Sequence, residues 1–446
     1  MNSDIDSEIW KFHRSLQGEN SLPLEPDDDL YVPILQQNPQ RDPVLQLFLR
    51  INSAESESVH LLTGFRGNGK STELKRLRKL LRDLGHTVIL VNMADYILMT
   101  KPLEIGDFLL SVVAAFADQV KKESGVDALS QNALVRFWQF LSETEVHLES
   151  MEGGVEAGGI STKFMVRLSR DPVFKKEVQE KLRTHLGGLL QQTEEFIREV
   201  VDKLKKNDPE HKVILLVDSL EHIRGFGDDR RQVLDRVVEL FSGQAINVAL
   251  PMLHVVYTVP PFLISKAPNL SINLGGNPIS MWPNIHVKKR SGEEDSSGLE
   301  TMRTIIQKRY ENWAAFYTQQ QLDRLAIISG GDIRDFFRLV REGILGLGTS
   351  RLTLGDTKPE RIDDDMIEHA IAQLRTEFQP IPRNDLIYLK QIHETNDNLL
   401  TDIEELDTLM RFLDSNMIMN YLNGDQWYDI HPILMEIIRS QLKEES

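Results

Sequence analysis

Eight consecutive residues fit the phosphate-binding pattern G-x-x-x-x-G-K-[ST], namely Gly64-Phe65-Arg66-Gly67-Asn68-Gly69-Lys70-Ser71. The flanking sequence suits this motif. Residues 59–63 are a short apolar run that predicts a buried strand, and leucines recur at helical spacing over residues 72–84. Strand, glycine-rich loop and helix in this order favour a phosphate site over the alternative, a glycine-rich surface turn.

The residue types in this loop predict its chemistry. The glycines let the backbone wrap closely, so that N–H groups can point at phosphate oxygens. Lys70 would neutralise the β- and γ-phosphates, the Ser71 hydroxyl would ligate Mg²⁺, and the next helix would present its positive end. The predicted cofactors are ATP and Mg²⁺, and the predicted binding residues are Gly64, Phe65, Arg66, Gly67, Asn68, Gly69, Lys70, Ser71 and Thr72.

Apolar runs alternate with helical patterns along most of the chain. The runs occupy residues 59–63, 87–92, 212–218, 252–258 and 284–288, and one long helix is predicted over 172–206. Apolar strands between helices are typical of a parallel sheet with both faces covered, so we predict an α/β fold. The predicted domains are a lead-in (1–58) with one short helix, a core (59–290) with a hairpin inserted near 146–168, a helical lid (291–375) and a C-terminal domain (376–446).

A phosphate-bound metal also needs a carboxylate. Asp218 ends the apolar run of residues 213–217 and is the candidate, which makes this run the Walker B element; the alternative is a turn residue at a strand end. Glu221 lies three residues further on. It either orients the attacking water or stabilises a helix dipole, and the sequence leaves both alternatives open.

Four elements in this order resemble the AAA+ and STAND ATPases, especially their ORC/Cdc6 initiator branch. The first is the loop Gly64–Ser71 as Walker A, and the second is the run of residues 213–218 with Glu221 as Walker B. The third is Thr258 as sensor 1, and the fourth is Gly331-Asp332-Ile333-Arg334 as sensor 2. The resemblance implies a P-loop ATPase whose lid brings Arg334 to the γ-phosphate, and a catalytic set of Lys70, Glu221, Arg334 and Thr258. The alternative for Arg334 is a pair with an acid such as Asp335.

The chain departs from this family in two places. The family has a Glu directly after the Walker B Asp, where this chain has Ser219. It also has an arginine finger after sensor 1, whereas residues 259–289 contain no arginine, and Lys266 lacks the bidentate fork. We therefore expect ATP hydrolysis to be slow or to depend on Glu221. These departures fit a nucleotide-dependent switch better than a fast motor.

The C-terminal residues resemble a winged helix. Helices are predicted at 384–395, 401–404 and 405–413, a hairpin at 417–431 with an Asn-Gly turn, and a last helix at 433–442. DNA-binding members place their third helix in the major groove. Residues 376–446 carry 14 acidic and 5 basic residues, and this charge would repel phosphates. We therefore expect this domain to pack on the ATPase or to bind a protein.

Composition narrows the class of protein. The net charge of −17 argues against a protein that binds DNA through its whole surface, although basic residues cluster at 75–82 and 288–290. The chain has no cysteine, which excludes disulfides and thiolate chemistry, and its polar start and lack of long apolar runs predict a cytoplasmic protein without a membrane segment.

Together these features predict an ATP-binding, slowly hydrolysing switch that acts on a protein partner, with a homo-oligomer as a further possibility. The resemblance extends to bacterial regulators and anti-phage systems. The alternative functions are a DNA-loading or transposition-regulating ATPase and a nucleotide-bound scaffold without turnover.

Overall fold

The structure is a computed structural model that describes residues 2–17, 23–35, 39–125, 136–137, 140, 172–205, 208, 210–225, 229–243, 245–267, 269–353, 359–397, 405–422 and 426–442. The hairpin predicted near 146–168 lies outside these residues. The chain divides into two compact units. The sheet unit comprises Pro43–Thr63 and Leu74–Met281, and the P-loop unit comprises Met1–Asp42, Gly64–Glu73 and Trp282–Ser446.

A five-stranded sheet in the order β2-β3-β4-β1-β5 is the framework of the sheet unit. Its strands are β1 (Ser58–Gly64), β2 (Thr87–Asn92), β3 (Val213–Asp218), β4 (His254–Val259) and β5 (Ser280–Trp282). The pairs β1–β4, β4–β3 and β3–β2 are parallel. Every residue of β3 and β4 is buried, as continuous apolar strands require. The predicted α/β fold is confirmed.

Helices cover this sheet. They are α2 (Pro43–Ser53), α3 (Lys70–Asp83), α4 (Ile105–Ser124), α5 (Pro172–Thr184), α6 (Leu186–Lys205), α7 (Arg230–Val238), α8 (Ala245–Val248), α9 (Leu263–Lys266) and α10 (Leu270–Asn273). α4 packs on β2 and α6 packs on β3. The single helix predicted over 172–206 is broken at His185, where Gly187 and Gly188 follow and weaken helix propensity.

The fifth strand lies earlier than predicted. β5 ends at Trp282 because Pro283 cannot donate to a ladder, and the apolar residues 284–288 form no strand. They run as an extended segment of the P-loop unit, in which the Ile285 N–H donates to Gly331 O at 3.2 Å. The prediction failed because apolar alternation reports burial and not strand pairing.

The P-loop unit is mostly helical. Its helices are α1 (Asn2–Ser15), α11 (Ser296–Arg309), α12 (Gln319–Ile328), α13 (Ile333–Thr353), α14 (Asp364–Thr376), α15 (Arg383–Thr395), α16 (Glu405–Asp414) and α17 (Met435–Leu442). α1 was not predicted, because its acidic residues obscured the apolar spacing. Ile9, Phe12 and Leu16 are nevertheless buried, and α1 packs on α13.

The end of the chain combines helices with a hairpin. The antiparallel strands β6 (Ile418–Tyr421) and β7 (Trp427–Ile430) confirm the predicted hairpin, and its turn residues lie outside the described part. The helices predicted at 384–395 and 405–413 are confirmed as α15 and α16, whereas 401–404 is not described. Met419, Tyr421 and Trp427 form the core of the hairpin.

Across the described ranges, no helix is both long and apolar enough to cross a membrane.

Candidate nucleotide site

Close packing explains two glycines of the loop. Gly67 has φ +85°, and a Cβ placed there would lie 2.9 Å from the Arg334 Cβ. A Cβ on Gly64 would lie 2.6 Å from the Trp282 carbonyl oxygen. Since real Cβ atoms do not approach so closely, a side chain at either position would displace the loop. The glycines therefore serve the fit to neighbouring segments as well as access for phosphate.

Trp282 and Asn68 fix the shape of the loop. The Asn68 Nδ2 donates to the Trp282 O at 3.0 Å, and the Trp282 Nε1 donates to the Asn68 O at 2.9 Å. Both side chains are buried. Reciprocal buried bonds of this kind hold the loop in one conformation before any ligand arrives. The sequence offered no sign of the part that Trp282 plays.

Lys70 is folded back onto the loop. Its Nζ donates to the Phe65 O at 2.6 Å and to the Gly64 O at 2.9 Å, and only 3% of the residue is exposed. Two backbone carbonyls thus accept hydrogen bonds from the Lys70 ammonium. A phosphate oxygen would have to take the place of one of them, and it is the stronger partner because it carries charge.

The first turn of α13 packs on the same loop. A Cβ on Gly67 would lie 3.1 Å from the Arg334 Nε and 3.3 Å from an Asp332 carboxylate oxygen, and a Cβ on Gly69 would lie 3.9 Å from Ile333. The structure thus brings the predicted sensor 2 residue Arg334 to the Walker A loop. Asp335, the alternative partner for Arg334, is bonded to Arg338 at 3.2 Å and lies 3.3 Å from the His431 Nε2.

Asp332 is a buried acid beside the loop. Its Oδ1 caps α13 by accepting the Asp335 N–H at 3.0 Å. Burial, with the nearby Asp335 charge, raises the pKa of Asp332 to about 7. Burial also acts to raise the pKa of Asp335, but hydrogen bonding to His431 and the Arg338 charge outweigh it and lower that pKa. Asp332 can therefore change its charge near neutral pH.

The sheet unit contains Asp218 and Thr258, the residues predicted as Walker B and sensor 1. Val217 pairs with Tyr257, and Thr258 pairs with Leu62, so that β3, β4 and β1 end in register. The Thr258 Oγ1 accepts the Leu220 N–H at 3.1 Å, and an Asp218 carboxylate oxygen accepts the Ser219 N–H at 2.8 Å. Thr258 therefore fixes the turn that follows Asp218.

The residue that departs from the family pattern adopts an unusual conformation. Ser219 has φ +75°, in the left-handed region that favours glycine. Residues Leu220–His222 then form one 3₁₀ turn, in which Glu221 is buried with an oxygen 3.7 Å from the His222 Nε2. A turn of three residues offers little dipole for an acid to stabilise.

An N-terminal segment reaches the first turn of α3. The Tyr31 OH donates to a Glu73 carboxylate oxygen at 3.0 Å, and the Leu24 N–H donates to the Thr72 Oγ1 at 3.1 Å. The Lys308 Nζ donates to the Tyr31 O at 2.9 Å and holds the segment in place. These contacts span more than 40 residues and leave no local signal in the sequence.

Two residues predicted as Mg²⁺ ligands carry oxygen donors. Ser71, in the P-loop unit, has a hydroxyl, and Asp218, in the sheet unit, has a carboxylate, and both are donor types that Mg²⁺ takes at phosphate sites beside phosphates and water. Among the described residues no group of three or more His, Asp or Glu side chains is arranged to hold a metal by itself.

No family model matches the chain. No curated protein matches it either. The chain is similar to solved structures over nearly its whole length. The ORC2 protein of Aeropyrum pernix in its ADP form is 11% identical, with 97% of this chain and 99% of that chain covered and a TM-score of 0.43. The Walker-type ATPase paby2304 of Pyrococcus abyssi is 13% identical, with 92% and 100% of the two chains covered and a TM-score of 0.40, and the RuvB Holliday junction branch migration motor of Thermotoga maritima is 13% identical, with 94% and 100% covered and a TM-score of 0.36. At this level of overlap they establish neither a family nor a function.

Proposed function

We propose that the chain is an ATP-binding molecular switch of the AAA+/STAND kind, in which nucleotide sets the position of the helical lid and the winged-helix domain. The observation that carries this proposal is the packing of residues 332–334 on Gly67. Phosphate bound by the loop would meet Arg334 at the start of α13. A charge at that point gives open and closed states different energies, as a switch requires.

Each residue of the site has a separate role in ATP binding or hydrolysis. Lys70 exchanges a loop carbonyl for phosphate oxygens, and the loop N–H groups and the start of α3 bind the remaining charge. Ser71 and Asp218 would hold Mg²⁺, which would supply electrostatic stabilisation of the phosphates. Glu221 orients the attacking water, Thr258 positions the turn that carries it, and Arg334 neutralises charge on the γ-phosphate.

The residues that follow Asp218 are consistent with slow ATP hydrolysis. Ser219 supplies no carboxylate, and Glu221 occupies a separate 3₁₀ turn. The resulting long-lived ATP state suits a switch that signals to a protein partner, in bacterial regulation or anti-phage defence.

Charge favours a protein partner over DNA. Lys288 is paired with Asp429 and Lys289 with Glu293, so two cations of the basic cluster at 288–290 are neutralised within the unit. Arg82, in the other cluster, is paired with Glu123. Together with the acidic C-terminal residues, these pairs leave DNA loading as the weaker candidate.

The test is ATP hydrolysis by the purified chain with and without duplex DNA, with Lys70→Ala, Glu221→Gln and Arg334→Ala beside the wild type. We expect slow turnover that all three variants reduce and that DNA leaves unchanged. Strong stimulation by DNA would establish the loader function instead. ATP binding without turnover in any tube would show a scaffold, and no binding would refute the proposal.

A further inference from the structure

The C-terminal end of α16 lies against the phosphate-binding loop within the P-loop unit. A carboxylate oxygen of Asp414 lies 3.2 Å from the Arg66 Nη2. Two residues later, the Asn416 Nδ2 donates to the Arg66 O at 3.3 Å. One end of a single helix thus contacts both the side chain and the backbone of one loop residue.

The same residues also reach the start of α13. The Asn416 Nδ2 lies 3.5 Å from an Asp332 carboxylate oxygen, and Asn416 has φ +55°, a conformation that Asn tolerates better than most residues. The carbonyl end of α16 adds partial negative charge beside the Arg66 guanidinium. Arg66, Asp332 and the end of α16 therefore form one polar cluster.

This cluster differs in kind from the other contacts of the C-terminal residues. The Tyr421 OH donates to the Gly330 O at 2.8 Å, and His431 faces Asp335, and both aromatic side chains are fully buried. The Arg66 and Asp414 side chains keep 16% and 14% of their surface exposed. Replacing a partly solvated ion pair costs little, whereas opening buried contacts leaves polar groups without partners. The contact to Arg66 is the one that can be exchanged.

Nucleotide supplies the competing group. Arg66 is the third residue of the loop whose N–H groups would cradle phosphate. A guanidinium binds phosphate oxygens bidentately, and a nucleotide offers more negative charge than one carboxylate. Arg411 holds α16 on α15 through two bonds to Asp385, at 2.6 and 2.7 Å, so α16 would leave the loop together with its neighbour.

We propose that Asp414 and Asn416 form a latch on Arg66, and that nucleotide phosphate releases this latch by taking over the guanidinium. This latch rests on the proposed binding of nucleotide by the loop. Through Arg66, Asp414 and Asn416, nucleotide binding at the loop would change the contacts of the C-terminal helices. Asp414 competes with nucleotide phosphate for the Arg66 guanidinium, and Arg66 is a positioning residue for α16.

The test is titration of the full chain with a fluorescent ATP analogue and Mg²⁺ at low salt. Asp414→Asn removes the competing charge, so we expect about three- to tenfold tighter binding. Asp407→Asn, with the same charge change two turns earlier on α16, should shift affinity less than twofold. In an Arg66→Gln background, Asp414→Asn should have no further effect on nucleotide affinity, because the guanidinium for which Asp414 and phosphate compete is gone.

Hydrogen exchange provides an independent measurement. ATP should speed amide exchange over residues 405–417 in the wild type, and Asp414→Asn without nucleotide should already exchange faster there. Unchanged affinity in Asp414→Asn, or equal tightening in the Arg66→Gln background, would overturn the latch. Nucleotide binding that Lys70→Ala weakens would stand even then, whereas a wild type that binds no nucleotide would overturn both proposals.

Discussion

Acidification should destabilise the sheet unit through two buried histidines at the amino-terminal edge of its sheet. His60, on β1, and His254, on β4, are 2% and 6% exposed. The Ser58 Oγ lies 2.9 Å from the His60 Nε2 and 2.9 Å from the His254 Nδ1. The Ser58 hydroxyl can donate to one ring nitrogen and accept from the other only while at least one of the two rings is neutral, so protonating both rings breaks the pair of bonds.

The size of the effect follows from the pKa values. Burial, with the charge of Arg50 near His60 and of Lys212 near His254, lowers both pKa values from 6.5 to about 4. The unfolded chain therefore binds more protons between pH 6.5 and 4, and stability falls as the pH falls. Each histidine removes about 1.4 kcal/mol per pH unit, which is about 3 kcal/mol over the whole window. Two such losses are a large share of a typical domain stability.

The assay is urea unfolding at pH values from 7.5 to 4.5, followed by circular dichroism. His60→Gln and His254→Asn place amide atoms near the Nε2 and Nδ1 positions, so each keeps the Ser58 bond without titrating. The double variant should be clearly less destabilised by acid than the wild type, and the part of the pH dependence that remains should include His286, whose pKa burial also lowers to about 4. His369→Asn, at an exposed position of α14, should leave the pH dependence unchanged. A double variant that weakens with acid as steeply as the wild type would refute the reasoning.

Three further predictions concern the loop and its surroundings. Gly67→Ala should lower the free energy of unfolding by about 1–3 kcal/mol and weaken nucleotide binding, measured by urea unfolding and by titration, because the new Cβ would meet Arg334. Ser219→Gly should raise the free energy of unfolding by about 0.5–1 kcal/mol, measured as a higher urea midpoint, because φ +75° suits glycine; an unchanged midpoint would contradict this. Nucleotide charge should raise the pKa of Asp332 above its value of about 7. Calorimetry at pH 7.5 in buffers of different ionisation enthalpy should then show proton uptake that Asp332→Asn abolishes.

Local patterns predicted the central elements well. The order of strand, glycine loop and helix around Lys70, and the buried run that ends at Asp218, are set by residues close in sequence. Burial of a whole strand on both faces leaves a continuous apolar run, and such a run predicts a parallel strand. The α/β fold was accessible from the sequence for this reason.

Contacts between distant residues were not accessible in the same way. The approach of Arg334 to Gly67 was expected only from the family resemblance. The Tyr31 bond to Glu73 and the Trp282 clamp on Asn68 join residues without any shared periodicity. The apolar run at 284–288 misled the prediction, because a segment can be buried through backbone bonds to a turn, as Ile285 is to Gly331, without joining a sheet.

The cost of each contact decides which parts of the site can respond to nucleotide. Lys70 can change from a loop carbonyl to phosphate, and Arg66 can change from Asp414 to phosphate, while each keeps a hydrogen-bond partner throughout. Such exchanges have a net effect of about 1 kcal/mol, whereas repacking Trp282 or Tyr421 would cost several kcal/mol. The phosphate charge is therefore more effective at the polar cluster of Arg66, Asp332 and α16 than at the buried contacts. A switch built on this loop would work by exchanging polar partners over an apolar core that stays intact.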